Sequence, residues 1–362
     1  MGRAAYRLRG RGVGTLVVAW TAVVVPGVLT AQSGSASAAA APPLFSSHEL
    51  LDVTLTADFS ALRRDRRESP DRPAVLTAPA TDGGTVDIGA ELRTRGEFRL
   101  DPSNCTFPPL RMDVDGSDAR GTVFESQDNL KIVSSCRPGR SAYDQLVLAE
   151  YLAYRTYQFV TEASFRVRLV RLTLIDTSGD RDPETRPAFF IEENDALAER
   201  LGTTIFDLEE GKNLPASAFD PVSAVTTATF QYMIGNTDWS DIAGHNVEIL
   251  QRGGGAKVVP YDFDFAGIVD APYATPNPNF GLRSVRERYY RGWCGNRFNT
   301  RLVLDRFREA RGDIMALWNT FQGLTDATRR NATRYLGEFF DAIETDERAV
   351  RRFLRDCRTP SN

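Results

Sequence analysis

The chain has 362 residues, of which 42% are hydrophobic, 25% charged and 10% aromatic, which excludes wholesale disorder and a fibrous repeat. Its formal net charge is −4, from 44 basic and 48 acidic residues, so there is no bulk electrostatic drive toward nucleic acid and no nucleic-acid partner is expected. Two histidines, His48 and His245, cannot build a three-histidine zinc site. Three of the basic residues are lysines, Lys131, Lys212 and Lys257; the rest are arginines.

In chain order, Arg3, Arg7, Arg9 and Arg11 precede an uncharged stretch from Val13 to Ala31, and Ala36-Ser37-Ala38 fits a signal-peptidase site. Residues 1–38 are therefore expected to be a signal peptide, and the mature chain a secreted, extracytoplasmic protein. No later apolar run approaches the length of a bilayer span, so no integral membrane segment is expected after cleavage. An Ala/Pro/Ser linker covers 39–47. Leu51, Val53, Leu55 and Ala57 alternate as one face of a strand, and 60–84 is charged and Pro-containing and reads as a loop. Further strands are expected at 86–96, 110–114, 122–124 and 130–134, each set off by turn residues.

The period changes at 141–161. Ser141 and Asp144 have the spacing of a capping box, and Leu146, Ala149, Ala153 and Tyr157 follow at helical spacing. Strands return at 165–175 and 186–192. Helices are then expected at 195–201, 203–211, 221–235, 301–319 and 325–356. Between them, strands 247–250 and 258–261 are joined by Gly253-Gly254-Gly255. Export permits disulfides, and the four cysteines are expected to pair Cys105–Cys136 and Cys294–Cys357. No CxxC motif is present.

The densest polar cluster is Asn236-Thr237-Asp238-Trp239-Ser240-Asp241, then His245-Asn246, then Tyr261-Asp262-Phe263-Asp264-Phe265. A hairpin brings its two ends together, so Asp238, Asn246, Asp262 and Asp264 are expected around one point. Carboxylates and an amide are hard oxygen ligands suited to Mg²⁺ or Mn²⁺ with phosphate oxygens. Separately, Lys131 sits mid-strand between apolar neighbours, with Glu150 nineteen positions later on the capped helix. A strand lysine paired to a helix glutamate is a device for holding nucleotide phosphates.

These stretches, with Leu92-Arg93-Thr94-Arg95-Gly96, Asp128-Asn129-Leu130-Lys131-Ile132-Val133 and Glu150-Tyr151-Leu152-Ala153-Tyr154, resemble the secreted CotH-type (spore coat protein H-like) family of atypical protein-kinase-like proteins. The resemblance runs from about residue 88 to 275. It implies an α+β, two-lobed protein-kinase-like fold: a β-rich N-lobe with one main helix at 48–193 and a mostly helical C-lobe at 194–362. It implies that Lys131 binds the phosphates of ATP and pairs with Glu150. Phe189 to Glu193, with Glu192 and Glu193, would lie beside the adenine, and Arg95 and Gly96 would cover the phosphates. Asp238 would be the catalytic residue that orients or deprotonates the acceptor hydroxyl, and Asn246, Asp262 and Asp264 would hold Mg²⁺ or Mn²⁺. The sequence departs from the kinase pattern twice. Asp238 and Asn246 are eight apart rather than five, whereas Asp241 and Asn246 are five apart, which makes Asp241 the alternative. No GxGxxG motif lies near Arg95.

The implied activity is ATP-dependent phosphorylation of a hydroxyl on an unidentified protein, glycan or small-molecule acceptor. Two rivals are an exported pseudokinase that binds without catalysis and a surface protein whose acids bind Ca²⁺. The sequence lacks the DxDxDG calcium loop.

Overall fold

The computed structural model describes residues 43–80, 83–295 and 300–359. The expected signal peptide, and residues 39–42 of the expected linker, lie outside the described residues. The first half builds strands β1 (Leu51–Ala57), β2 (Arg72–Pro79), β3 (Thr85–Thr94), β4 (Leu110–Val114), β5 (Asn129–Ser134), β6 (Val167–Asp176) and β7 (Glu184–Ile191). They form a closed barrel in the order β1-β2-β3-β4-β5-β7-β6. Every pairing is antiparallel except the one that closes the barrel, where β1 runs parallel to β6 from Leu51↔Val170 to Ala57↔Asp176. Closure satisfies the edge strands that an open sheet would leave unpaired.

The alternation expected in β1 holds: Leu51, Val53, Leu55 and Ala57 are all buried. They join Leu76, Ile88, Leu92, Met112, Leu130, Ile132, Leu172 and Phe190 in a core inside the barrel. A second core lies against the outer wall. There Val133, Val167, Leu169, Phe189 and Ile191, facing outward, meet helix α2 (Ser141–Gln158) and the elements that follow.

The barrel overturns the expected two-lobed, protein-kinase-like fold with one main helix in a β-rich lobe. The barrel half carries two helices, α1 (Phe59–Arg64) and α2, and α2 packs into the outer core rather than the barrel's own. The described residues all belong to one compact unit, Ala39–Asn362. Locally, the loop expected at 60–84 hides α1 and β2, and 122–124 is a turn rather than a strand. Ser141 does not cap α2; Arg140 takes the N-cap position without a side-chain bond.

The remaining chain contributes α3 (Asn194–Arg200), β8 (Thr204–Ile205), α4 (Pro221–Ile234), β9 (Val247–Gln251), β10 (Lys257–Pro260), α5 (Thr300–Glu309), α6 (Arg311–Thr320), α7 (Asp326–Ala342) and α8 (Asp346–Arg352). The helix expected at 203–211 is instead β8, whose Ile205 pairs with Leu250 at the edge of a three-stranded sheet ordered β10-β9-β8. The helix expected at 301–319 breaks into α5 and α6 at Ala310.

Both expected disulfides are present: Cys105–Cys136 with Cα atoms 4.9 Å apart and Cys294–Cys357 at 5.3 Å. They are consistent with an oxidising compartment. No helix among the described residues is long and apolar enough to cross a membrane. Replacing Cys294 and Cys357 with serine is expected to lower unfolding free energy by about 2–4 kcal/mol, because the bridge closes a long loop in the unfolded chain. Denaturant titration under non-reducing conditions checks this.

Candidate active site

The β9–β10 hairpin places the site. Val247 pairs with Pro260, and one step further Tyr261 donates its N–H to the Asn246 carbonyl at 3.1 Å. Asn246 and Asp262 therefore both lie just beyond the last paired residues at the open end of the hairpin, one at each strand. Both adopt positive φ, 51° and 61°, the left-handed region that Asn and Asp tolerate best among residues with a Cβ. The backbone N–H of Asp262 donates to the Tyr154 hydroxyl at 2.8 Å, and Phe263 is fully buried against the rings of Tyr154 and Phe230. With Phe263 anchored, the acids on either side of it are fixed in place.

Asp238 follows α4, which ends at Gly235 in the left-handed conformation (φ 70°); a Cβ there would meet the Tyr335 hydroxyl at 1.9 Å. The Asp238 carboxylate is 42% exposed, and its two oxygens have different partners. One lies 3.0 Å from His245 Nε2; the other accepts from Asn246 Nδ2 at 3.1 Å. Asn246 Nδ2 also donates to the Asp238 carbonyl at 2.8 Å, so the amide clamps the loop and leaves its Oδ1 uncommitted. The Asp238 hydrogen bond holds the His245 imidazole above its ordinary range.

Asp241, the alternative to Asp238, is buried. Its Oδ2 accepts from Trp293 Nε1 and Arg358 Nη2, both at 2.8 Å, and its Oδ1 accepts from the Ile242 N–H. It ties the Asp238 loop to the segments that carry Cys294 and Cys357, and both its carboxylate oxygens already have partners. Asp241→Ala would leave the Arg358 charge without its partner, and a loss of about 3 kcal/mol in stability is expected by thermal or chemical denaturation.

Lys131 points outward from the barrel wall, between Leu130 and Ile132, which face inside. It does not pair with Glu150. Its Nζ donates to Asn194 Oδ1 at 3.0 Å and lies 4.9 Å and 5.6 Å from the ring centroids of Tyr261 and Phe165. Asn194 in turn donates to Glu248 Oε1 at 2.5 Å. Burial, helped by the charge of Arg95, lowers the Lys131 ammonium to about 8.

Glu150 is buried among other charges instead. Burial, then the negative charge of Asp264, holds its carboxyl well above the usual range, and Oε1 has no hydrogen-bond partner. Asp264 is pushed up to about 7 by burial and by Asp262. Its Oδ2 accepts from the Tyr273 hydroxyl at 3.1 Å and lies 3.7 Å from Arg99 Nη1. Arg99 is held above its ordinary value in spite of burial, chiefly by Asp264. Burial lowers Arg95, which feels Asp262 and Glu150 as opposing charges. Two arginines on the segment leaving β3 thus lie in the field of three acids, Glu150, Asp262 and Asp264. Gly96, between them in sequence, is exposed with φ 79° and carries the turn.

Of the expected adenine-side residues, Glu192 is committed elsewhere. It takes the Arg166 N–H at 3.0 Å and a two-pronged contact from Arg200 at 2.8 and 3.0 Å, which locks α3 to the barrel. Glu193 is half-buried, and burial pushes its carboxyl up to about 7.

The residues fit a divalent cation in part. Asp262 has no side-chain hydrogen bond among the described residues, Asn246 Oδ1 is uncommitted, and the buried Glu150 Oε1 lacks a partner. Asp264 is shared with Arg99 and Tyr273. Asp238, Asp262 and Asp264 do not bring their oxygens within 4.8 Å of one another. Among the described residues that spacing occurs in one trio, Asp71, Glu91 and Asp113, where Arg93 bridges Asp71 and Asp113 at 2.9 and 2.8 Å.

Sequence reasoning missed Arg99, Tyr154, Tyr273, Asn194 and Glu248. Tyr154 alone left a signal, since it lies one helical turn beyond Glu150. Compared with known proteins, the chain matches no family model and no curated protein, so the CotH-type resemblance rests on the motifs quoted above alone.

Proposed function

We propose that the chain is an exported, ATP- and divalent-metal-dependent phosphotransferase acting on a hydroxyl of a protein, glycan or small molecule. The observation that carries this reading is the Asp238–His245–Asn246–Asp262 arrangement. A partly exposed carboxylate, Asp238, is oriented by two neighbours, His245 and Asn246, while Asp262, at the same end of the hairpin, lies in the field of Arg95 and Lys131.

Each residue then has a physical task. Asp238 accepts the proton of the acceptor hydroxyl and aims its oxygen; His245 and Asn246 hold that carboxylate in one orientation. Asn246 and Asp262 would hold Mg²⁺ or Mn²⁺, with Asp264 as a further acid once released from Arg99. When bound, such a cation neutralises phosphate charge. Lys131, Arg95 and Arg99 supply the remaining positive charge, and Lys131 at about 8 stays cationic at neutral pH. Phosphoryl transfer asks for positioning and electrostatics rather than covalent chemistry from the protein.

A second reading, nucleotide binding without transfer, is favoured by one observation: Lys131 is tied to Asn194 rather than to Glu150. ADP formation from Mg²⁺-ATP across a panel of hydroxyl acceptors separates the two. The first reading expects acceptor-stimulated ADP release that falls at least a hundredfold in Asp262→Asn. A nucleotide-induced rise in melting temperature with no release in any acceptor supports the second.

A further inference from the structure

The end of the barrel closed by α1 has a polar cavity of about 370 Å³ that the reading above does not use. It lies where β1 and β6 end and β7 begins, and Lys131, by contrast, faces the barrel's outer wall. Arg186, on β7, alternates with the outward residues and shares its side with Ala188 and Phe190 of the inner core, so it points into the barrel. Its side chain is 2% exposed. Glu184 takes Nη2 at 3.0 Å, and Nε and Nη1 are buried with no partner. Arg63 of α1 lines the same cavity with a buried, unpartnered Nε. The two guanidinium groups lie 4.3 Å and 5.1 Å from the centroid of the Phe107 ring. Arg181, in the turn between β6 and β7, is exposed at the rim and makes no ion pair among the described residues.

We propose that this end of the barrel binds the phosphoryl group of a small phosphate monoester. Three acids, Asp176, Asp182 and Glu184, offset the formal charge of the three arginines, so what the lining offers a phosphoryl group is buried N–H donors without partners rather than net charge. Asp176 is consumed by the start of α1, accepting from the Phe59 N–H at 3.0 Å and the Ser60 hydroxyl at 2.8 Å, and Glu184 is held by Arg186. Asp182, at the rim, is the remaining acid. Burial, then the charge of Arg181, lowers Arg63, and burial lowers Arg186 to about 10, which still leaves Arg186 charged at neutral pH. A buried donor without an acceptor is costly, and guanidinium forks match the oxygens of a phosphoryl group. The cavity is larger than a bare phosphate, and Phe59 and Leu174 give it an apolar wall, which favours an ester with a compact apolar body.

The test is calorimetric titration of the whole protein in EDTA with phenyl phosphate, inorganic phosphate and phenol. The expected result is saturable binding of phenyl phosphate, weaker binding of inorganic phosphate and none of phenol. Affinity for phenyl phosphate should fall at least tenfold in Arg63→Gln and in Arg181→Gln. Arg181 is exposed, so Arg181→Gln keeps the test open if Arg63→Gln fails to fold. Binding should survive in Asp262→Ala, which separates this site from the one at the β9–β10 hairpin. No saturable binding of phenyl phosphate, equal binding of phenol, unchanged affinity in Arg181→Gln, or loss in Asp262→Ala would each overturn the proposal.

Discussion

Asp238→Asn is expected to lower the rate of phosphate transfer by about 10²–10⁴-fold while leaving nucleotide affinity within about threefold of the wild type. The amide keeps the shape of the side chain, and it can still accept at one oxygen from Asn246 Nδ2 or meet His245 Nε2. It cannot take a proton from a hydroxyl. The effect should therefore fall on kcat rather than on binding, and steady-state kinetics with the best acceptor separates the two. Asp241→Asn gives the contrast: its carboxylate is bonded to Trp293 and Arg358, so its replacement should act mainly on stability. A larger kinetic loss in Asp241→Asn than in Asp238→Asn would reverse the assignment.

The second large effect is on stability and concerns Asp264. Burial and Asp262 raise its folded value to about 7, against an ordinary 3.8. Folding then takes up a proton between those values. The stabilising contribution is fully present below about pH 4 and is lost as pH rises through about 7. Relative to Asp264→Asn, which does not titrate, the metal-free wild type should lose stability across that window, by at most about 1.4 kcal/mol per pH unit. Urea titrations of both proteins in EDTA from pH 4 to 8 measure the difference. A difference that stays flat, or grows in favour of the wild type as pH rises, would show that Arg99 keeps Asp264 ionised throughout. Tyr273 and Glu150 face the same carboxyl and belong to the same equilibrium.

What could be read in advance was local. The β9–β10 hairpin follows from two short apolar runs and three glycines, and it carries Asn246 and Asp262 at its open end. The disulfides followed from cysteines that flank neighbouring strands or share the last segment of the chain. What failed was long-range. Barrel closure depends on Leu51 meeting Val170, and nothing in either strand's pattern names its partner. The same limit undid the Lys131–Glu150 pair. Lys131 was legible as a mid-strand residue between apolar neighbours, but its partner is set by how α2 and α3 pack on the barrel's outer wall, and Asn194 reaches it. Glu150 is matched with Arg95 and Arg99, which leave β3 at a turn whose direction depends on Gly96. At 203–211, helix-like spacing lost to the edge of a sheet, because Thr204 and Ile205 satisfy the open side of β9.

In the proposed function, Asn246 and Asp262 hold a divalent cation against a nucleotide whose phosphates meet Arg95, Arg99 and Lys131. Calorimetric titration of ATP into the protein, with Mg²⁺, with Ca²⁺ and with EDTA, decides whether they do. The expected result is binding with Mg²⁺, at least a tenfold loss in EDTA and a comparable loss in Asp262→Ala. Stabilisation by Ca²⁺ alone, with no binding of ATP under any of the three conditions, would contradict it.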